Sequence, residues 1–426
     1  MSDILDVYLN NTLAGKLKQH HGKITFTYTL DYISKSYHIP LSISMPFRER
    51  SYEENIAESF FAGLLPEGEV LNKLARDLQI SPKNTFRLLE KIGGDCAGAI
   101  ALFPETKQPP RHEVNFVWMT KDDLASKLEA IKLHPFLASQ SNIRLSLAGA
   151  QDKLPLCIVD DNRFAMGSGL ATTHILKSPI NMNGITESVF NEYFCMQLAL
   201  LCDILVAPTQ IIWIKEIPYL AIWRYDRTIM KGTMASYAMG FPYFITRLHQ
   251  EDFCQALTIH PNQKYQSEGG PSFKECINLL EKYTKNPVLN VWLFIRVVIF
   301  NYIIGNSDAH GKNFSLLYED SGCYLAPAYD LLCTTAYSSL NQKMAMKIGS
   351  TYDWRFVRLE HWHSLMPQNK SAERIISGYL KEFATKIPEK ADFLKNRLNK
   401  EGIDAKIFST IKEIINKRSQ KILNYF

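Results

Sequence analysis

The chain has 426 residues, of which 46% are hydrophobic, 21% charged and 12% aromatic, with 21 glycines and 19 prolines. At roughly 100–200 residues per domain this length predicts two to three domains, and the composition excludes collagen-like, linker-like and intrinsically disordered chains. The net charge of +5 has a location: residues 381–426 hold 11 Lys or Arg against 6 Asp or Glu, and the remainder is balanced at 37 against 37. Such a region is either an amphipathic helix pair with solvated lysines or a surface that approaches nucleic acid, and charge alone does not choose between them.

In chain order, short alternating runs around 6–9 and 24–28, with Asn10-Asn11 as a turn, predict a small β-rich module. Helical periodicity follows over 54–65, ended by Pro66-Glu67-Gly68, and again over 70–78, before the glycine-rich Gly93-Gly94-Asp95-Cys96-Ala97-Gly98. Segment 104–113, with Pro109-Pro110, reads as a linker. Beyond it come a helix at 121–131, strands at 153–159, 163–166 and 172–177, a helix at 188–202, and strands at 210–215 and 219–225. The rest is expected to be mainly helical, over 252–256, 272–282, 291–304 and 372–424, except for a hairpin of 314–318 and 323–326 around Glu319-Asp320-Ser321-Gly322. No run reaches about 18 uninterrupted apolar residues. The best, 291–305, is broken by Arg296 and Asn301, so a buried helix and no membrane association are expected. The N-terminus, with Asp3 and Asp6 and no basic stretch, predicts no secretory signal. Eight cysteines without a C-x-x-C pair predict buried, reduced thiols in a cytoplasmic protein.

The sharpest chemistry lies in Asn306-Ser307-Asp308-Ala309-His310-Gly311-Lys312-Asn313, followed by the hairpin and Ala328-Tyr329-Asp330. Phosphoryl transfer in the protein-kinase manner needs a carboxylate to take the acceptor hydroxyl's proton, an Asn five residues later and a further Asp to hold magnesium. Asp308 and Asn313 have that D-x-x-x-x-N spacing, and the hairpin lets Asp330 join them. The bland alternative is an Asn-Ser-Asp turn with His310 and Lys312 on the surface. A kinase also needs a strand lysine for the phosphates; alternation places Lys177 on one face with Ile175 and Thr173, though a strand-end lysine reaching into water fits as well. Glu187 or Glu192 could orient it. The loop Ser146-Leu147-Ala148-Gly149-Ala150-Gln151-Asp152-Lys153 could turn backbone N–H groups toward a polyphosphate, but it has a single glycine and no P-loop pattern. Strand 219–225 would then lie against adenine. A serine hydrolase is disfavoured, because Met166 and Leu170 flank Ser168 where a nucleophile elbow has glycines, and His361 and His363 lack a third zinc ligand.

These residues converge on a family: the chain resembles the HipA toxin kinases of bacterial toxin–antitoxin modules. The resemblance spans nearly the full length. It rests on Phe60-Phe61-Ala62-Gly63-Leu64-Leu65-Pro66-Glu67-Gly68, the 93–99 glycine segment, 146–153, Thr172-Thr173-His174-Ile175-Leu176-Lys177, Gln250-Glu251-Asp252-Phe253-Cys254-Gln255, Lys264-Tyr265 with Gly269-Gly270-Pro271, and above all 305–315. It implies an α+β fold of protein-kinase type: a β-rich N-terminal subdomain at 1–105, a kinase N-lobe with nucleotide loop and hinge at 106–228, and a helical C-lobe with the catalytic site at 229–426. It further implies ATP and Mg2+ as cofactors, Asp308 as catalytic base, and Asn313 and Asp330 as magnesium ligands. Lys177, Ala148, Gly149, Ala150, Gln151, Asp152, Lys153, His310 and Lys312 would contact the nucleotide. Ser146 would be a self-inactivating autophosphorylation site. Trp223, Arg224 and Tyr225 resemble the hinge, where that family more often has Glu at the position of Trp223.

The implied activity is a Ser/Thr protein kinase acting as a toxin on an aminoacyl-tRNA synthetase, notably the glutamyl enzyme, which halts translation and produces growth arrest and persistence. The implied partners are a small helix-turn-helix antitoxin resembling HipB and operator DNA, approached indirectly or through the basic C-terminal region. Two readings compete: a catalytically silent module acting as co-repressor in an antitoxin–DNA complex, and a kinase of a small molecule or lipid on the same fold.

Overall fold

The computed structural model describes residues 3–105, 115–133, 151, 153–168, 171–231, 243–367 and 369–426. They form two compact units interleaved along the chain: Met1–Ser178 with Ile212–Asn262 and Leu316–Asp320, and Pro179–Ile211 with Gln263–Ser315 and Ser321–Phe426.

The first unit begins with an antiparallel sheet in the order β3-β2-β1-β4, built from β1 (Ile4–Leu9), β2 (Thr12–His20), β3 (Lys23–Tyr28) and β4 (Ile100–Pro104). Asn10, at φ 54, makes the expected turn between β1 and β2. Leu5, Val7, Leu17, Phe26 and Leu102 turn inward and pack with Phe60, Phe61, Phe86 and Leu88 of the helices Glu54–Ala62 and Thr85–Ile92. The helix Thr85–Ile92 and strand β4 are absent from the sequence reading. The helix is announced by Asn84, whose side chain accepts from Arg87 N at 3.0 Å. β4 alternates over only five residues and ends at Pro104, a residue tolerated on this edge strand.

A second sheet in the same unit runs β5-β7-β6-β8-β10-β9. Its strands are β5 (Asn115–Met119), β6 (Lys153–Asp160), β7 (Arg163–Ser168), β8 (His174–Lys177), β9 (Thr209–Ile214) and β10 (Ile217–Trp223). Leu154, Leu156, Phe164, Leu176 and Ala221 pack against Leu124 and Leu128 of the helix Lys121–Leu133. The chain beyond Trp223 departs from the mainly helical expectation: β11 (Arg227–Lys231), β12 (Tyr243–Arg247) and β13 (His249–Asp252) continue the β-rich unit. β13 is joined in its sheet by β14 (Ser315–Glu319).

The second unit is helical apart from the short strand β15 (Gly322–Leu325). Ala326 N–H donates to Ser315 O at 2.8 Å, which closes the base of the expected hairpin. The helix Phe273–Tyr283 opens with a capping box between Ser272 and Glu275. Pro287–Ile304 has proline in its first turn and Gly305, at φ 80, as its left-handed end. By length and composition it could cross a bilayer, yet two-thirds of it, 67%, is buried within the protein. The helices Lys370–Lys400 and Ile407–Leu423 bury Leu380, Phe383, Ile387, Leu394, Ile411 and Ile415 and leave Lys381, Lys400, Lys406 and Lys417 exposed. Part of the basic excess therefore lies on solvated faces, while Arg418 is buried and donates to Tyr302 O at 2.7 Å. All eight cysteines are free and seven are buried; burial pushes the Cys333 thiol up to about 11 and Cys202 to about 12, so both stay protonated at neutral pH.

One buried carboxylate makes the first unit sensitive to pH. Glu251 on β13 accepts from Ser42 Oγ at 2.5 Å, Ile43 N at 2.9 Å and the Tyr318 hydroxyl. Burial nevertheless pushes its carboxyl from 4.5 up to about 7, the three donors only partly opposing this. A carboxyl that holds its proton more tightly folded than unfolded makes stability fall as pH rises through that interval, here by about 3 kcal/mol. The urea midpoint of wild type minus that of Glu251→Gln should decline from about pH 5 to about pH 8. Equal slopes for both proteins would refute the assignment.

Candidate functional site

The loop after the buried helix is built by side chains that bind backbone. Gly305 accepts a left-handed φ of 80, and a Cβ there would come within 2.2 Å of Thr335 Oγ1, so no larger residue fits. Thr334 Oγ1 receives Ser307 N–H at 2.7 Å and itself reaches Gly305 O at 3.3 Å. Asn306 is the central tie. Its Oδ1 accepts Asp308 N–H at 3.1 Å, while its Nδ2 donates to Asn301 Oδ1 at 2.9 Å and to Asp330 O at 3.4 Å. The Asn-Ser-Asp segment is thus a side-chain turn of the kind the bland reading expected, and the same turn places Asp308.

Asn313 closes the loop, donating Nδ2 to Asp308 O at 3.0 Å, with backbone bonds from His310 N to Asp308 O and from Asn313 N to His310 O. This commits the Asn313 amide nitrogen and leaves its Oδ1 as the atom offered to a cation. Asp330 sits at φ 57, a left-handed conformation that Asp tolerates better than most residues, and such strained positions concentrate at functional sites. The following segment is clamped by Asn191 of the helix Ser188–Leu201, which exchanges two hydrogen bonds with the Cys333 backbone at 2.7 and 3.0 Å. Asp308, Asn313 and Asp330 are therefore held in one bonded assembly.

Among the described residues no three His, Cys, Asp or Glu side chains form a metal-binding group. Asn313 Oδ1 and the Asp330 carboxylate are two hard oxygen donors, a set that suits a magnesium ion completed by water and phosphate oxygens. His310 and Lys312 are not surface residues: they are 5% and 7% exposed. The His310 ring meets Tyr265 edge-on at 5.2 Å, and Lys312 O accepts the Tyr329 hydroxyl at 2.7 Å.

In the first unit, Lys177 is 6% exposed at the end of β8, so it does not reach into water. Lys153 stands directly opposite it in register on β6. Gln151 Nε2 donates to Ser178 O at 2.8 Å. Ser146, Ala148, Gly149, Ala150 and Asp152 lie outside the described residues. Of the two glutamates considered for Lys177, Glu187 accepts Ile407 N–H at 2.8 Å and Lys406 N–H at 3.3 Å, capping the last helix. Glu192 is 3% exposed in the helix Ser188–Leu201.

At the expected hinge, the Arg224 N–H donates to Thr173 O at 2.9 Å and its carbonyl accepts Arg227 N–H at 3.1 Å. Its guanidinium is buried and forks onto Asp226 at 3.0 and 2.9 Å, with further bonds to Thr172 Oγ1 and Cys96 O. Arg227 lies 3.0 Å from Asp226 and 3.3 Å from Asp95, and Arg247 lies 3.2 Å from Asp95. Tyr225 donates its hydroxyl to Gln250, and Trp223 packs edge-on against His174 at 4.7 Å. Tyr265, Asn306 and Thr334 are contributors to the site that the sequence reading did not single out for this role. Tyr265 stood in a quoted motif, but no local pattern shows that its hydroxyl donates to Asp308 Oδ1 at 2.7 Å.

A β-rich unit with a buried lysine on its sheet, together with a helical unit that gathers Asp308, Asn313 and Asp330 after a buried helix, is the plan of an α+β, kinase-like protein. The chain belongs to the HipA-like family: the HipA-like C-terminal domain matches residues 145–391 and the HipA N-terminal domain residues 5–103. It is 41% identical over 367 residues to Y4mE of Sinorhizobium fredii, provisionally named a kinase, covering 85% of this chain and 84% of that one. It is 29% identical over 399 residues to the serine/threonine-protein kinase toxin HipA of Shewanella oneidensis, covering 90% and 88%. The solved structure of Shewanella oneidensis HipA with HipB and operator DNA superposes with a TM-score of 0.82 at 27% identity, over 99% of this chain and 98% of that one.

The buried ionic cluster yields a stability test. Burial alone would raise the Asp226 carboxyl, but Arg224 and then Arg227 outweigh it and hold the group at about 2. Asp226→Ala leaves two buried guanidinium groups short of an anion, at a cost of about 3–5 kcal/mol. Urea denaturation should show that loss; a change under about 1 kcal/mol would mean that the cluster is hydrated and weak.

Proposed function

We propose that this protein is an ATP- and magnesium-dependent Ser/Thr protein kinase that acts as the toxin of a toxin–antitoxin pair. The observation that carries the reading is the Asn306 tie, which links Asp308 N–H to the Asp330 carbonyl while Asn313 bonds Asp308 from the other side. Asp308 would accept the proton of the acceptor hydroxyl, and the loop's backbone bonds hold it ready without reorganisation. Asn313 Oδ1 and Asp330 would hold magnesium, which would supply positive charge to offset that of the phosphates. Lys177, buried at the end of β8, and Lys153, opposite it in register, would receive the nucleotide's phosphates. Trp223 and Tyr225 remain the hinge candidates for adenine, while His310 and Lys312 shape the catalytic loop. Ser146 is the proposed autophosphorylation site, with 148–153 the proposed nucleotide loop.

The proposed protein target is an aminoacyl-tRNA synthetase such as the glutamyl enzyme, whose modification would stop translation in the bacterial cytoplasm. The likeness to a HipA bound to HipB and operator DNA supports a HipB-like antitoxin and DNA association for this chain, and it also supports a silent co-repressor as the second reading. ATP binding that strengthens with magnesium separates the two, since a silent scaffold needs neither.

Asp308→Asn and Asp330→Asn should each lower phosphate transfer by on the order of 10³-fold or more, with growth arrest on expression lost in parallel and melting temperature retained. Ser146→Ala should remove the phosphate found on the chain by mass spectrometry. Full transfer by Asp308→Asn would end the kinase reading.

A further inference from the structure

Beside the catalytic loop lies a second, separately anchored loop that delivers one phenolic hydroxyl. The Tyr265 hydroxyl donates to Asp308 Oδ1 at 2.7 Å, and its ring stands edge-on to His310 at 5.2 Å. Several constraints hold this residue in place. The Tyr265 carbonyl accepts both Glu268 N–H at 2.9 Å and Gly270 N–H at 2.8 Å, folding 265–270 into a tight turn through Gly269 at φ 103. A Cβ on Gly270 would lie 2.5 Å from Lys264 O and 2.6 Å from Gln263 O, so the turn requires glycine. Gln266 then ties the turn to 345–347, its N–H donating to Ala345 O at 3.2 Å and its Oε1 accepting Lys347 N–H at 2.7 Å.

We propose that Tyr265 is a positioning residue for phosphoryl transfer, fixing the rotation of the Asp308 carboxylate through its hydroxyl. The proposal rests on the assignment of Asp308 as the proton acceptor. A carboxylate turns about a soft terminal torsion, and the backbone bonds around 306–313 locate the Asp308 Cα without setting that torsion. The Tyr265 hydroxyl restrains that torsion by holding one of the two carboxylate oxygens. The Gly269-Gly270 turn is then explained by the position of one oxygen atom.

The test uses the full chain with γ-labelled ATP and magnesium, following label incorporated into the protein and ADP formed. Tyr265→Phe keeps the ring against His310 and removes only the donor. It should lower the rate at saturating ATP about tenfold and leave the half-saturating ATP concentration within about twofold. Gly270→Ala, which displaces the turn while keeping the hydroxyl, should reproduce the rate loss. Tyr265→Phe with wild-type rate overturns the proposal. So does a rate loss accompanied by weaker ATP saturation, which would make Tyr265 a nucleotide-binding or structural residue. Asp308→Asn reports separately: an active Asp308→Asn defeats the kinase assignment itself, whereas an inactive Asp308→Asn beside an unaffected Tyr265→Phe defeats only this inference.

Discussion

Everything at the site depends on the way the chain leaves its most apolar helix. Pro287–Ile304 is anchored in the core of its unit, and its last turn stops at a left-handed Gly305, so the direction of the next residues is set by the core rather than by solvent. Asn306 converts that fixed exit into a catalytic geometry. One amide side chain has both an acceptor and two donor hydrogens, and here it uses them on the Asp308 N–H, Asn301 Oδ1 and the Asp330 carbonyl. Few other side chains could hold a loop donor and a remote carbonyl at once. The result is a polar cluster in which bonds to backbone do much of the positioning of the acidic residues.

The first unit solves a different problem, that of fastening an N-terminal sheet to the strands that follow. Asp95 follows the glycine pair before β4, and Arg224, Asp226 and Arg227 follow β10; all are buried and satisfied by one another and by backbone groups such as Gly98 N–H, 2.8 Å from Asp226. Burying charge is costly unless each ion finds close partners, so the cluster tolerates little displacement. It also gives the side chains at the expected hinge structural partners: the Arg224 guanidinium neutralises Asp226, Trp223 packs on His174 and Tyr225 bonds Gln250.

Most helices and strands were legible because their apolar periodicity extends over enough residues: β1, β3, the helix Ser188–Leu201 and the helix at 287–304 all announce themselves. The strands that escaped were short: β4 has five residues, β12 five and β13 four, and in so few positions alternation cannot be distinguished from a loop, whereas the eight-residue helix Thr85–Ile92 escaped although its start is marked by Asn84. The site was legible in part for the opposite reason. Asp308 and Asn313 belong to one short segment, where spacing constrains geometry, and the hairpin hinted that Asp330 returns to them. Tyr265 was quoted within a motif but its bond to Asp308 was invisible, because 43 residues separate the two and no periodicity links them.

The amino-acid sequence by itself determined the D-x-x-x-x-N segment after a buried helix, the cysteines without C-x-x-C pairing and the amphipathic basic end, since each follows from residue type and near-neighbour spacing, while the kinase-like α+β class came from the family those residues resemble. Only the tertiary structure decided that His310 and Lys312 are buried, that Glu187 caps a helix, that Arg224 is consumed by an ionic cluster, and that Tyr265 reaches Asp308. Each of these turns on which distant groups share a dry interior, and the free energy of a buried polar contact depends on its partner's position in space rather than on any pattern along the chain.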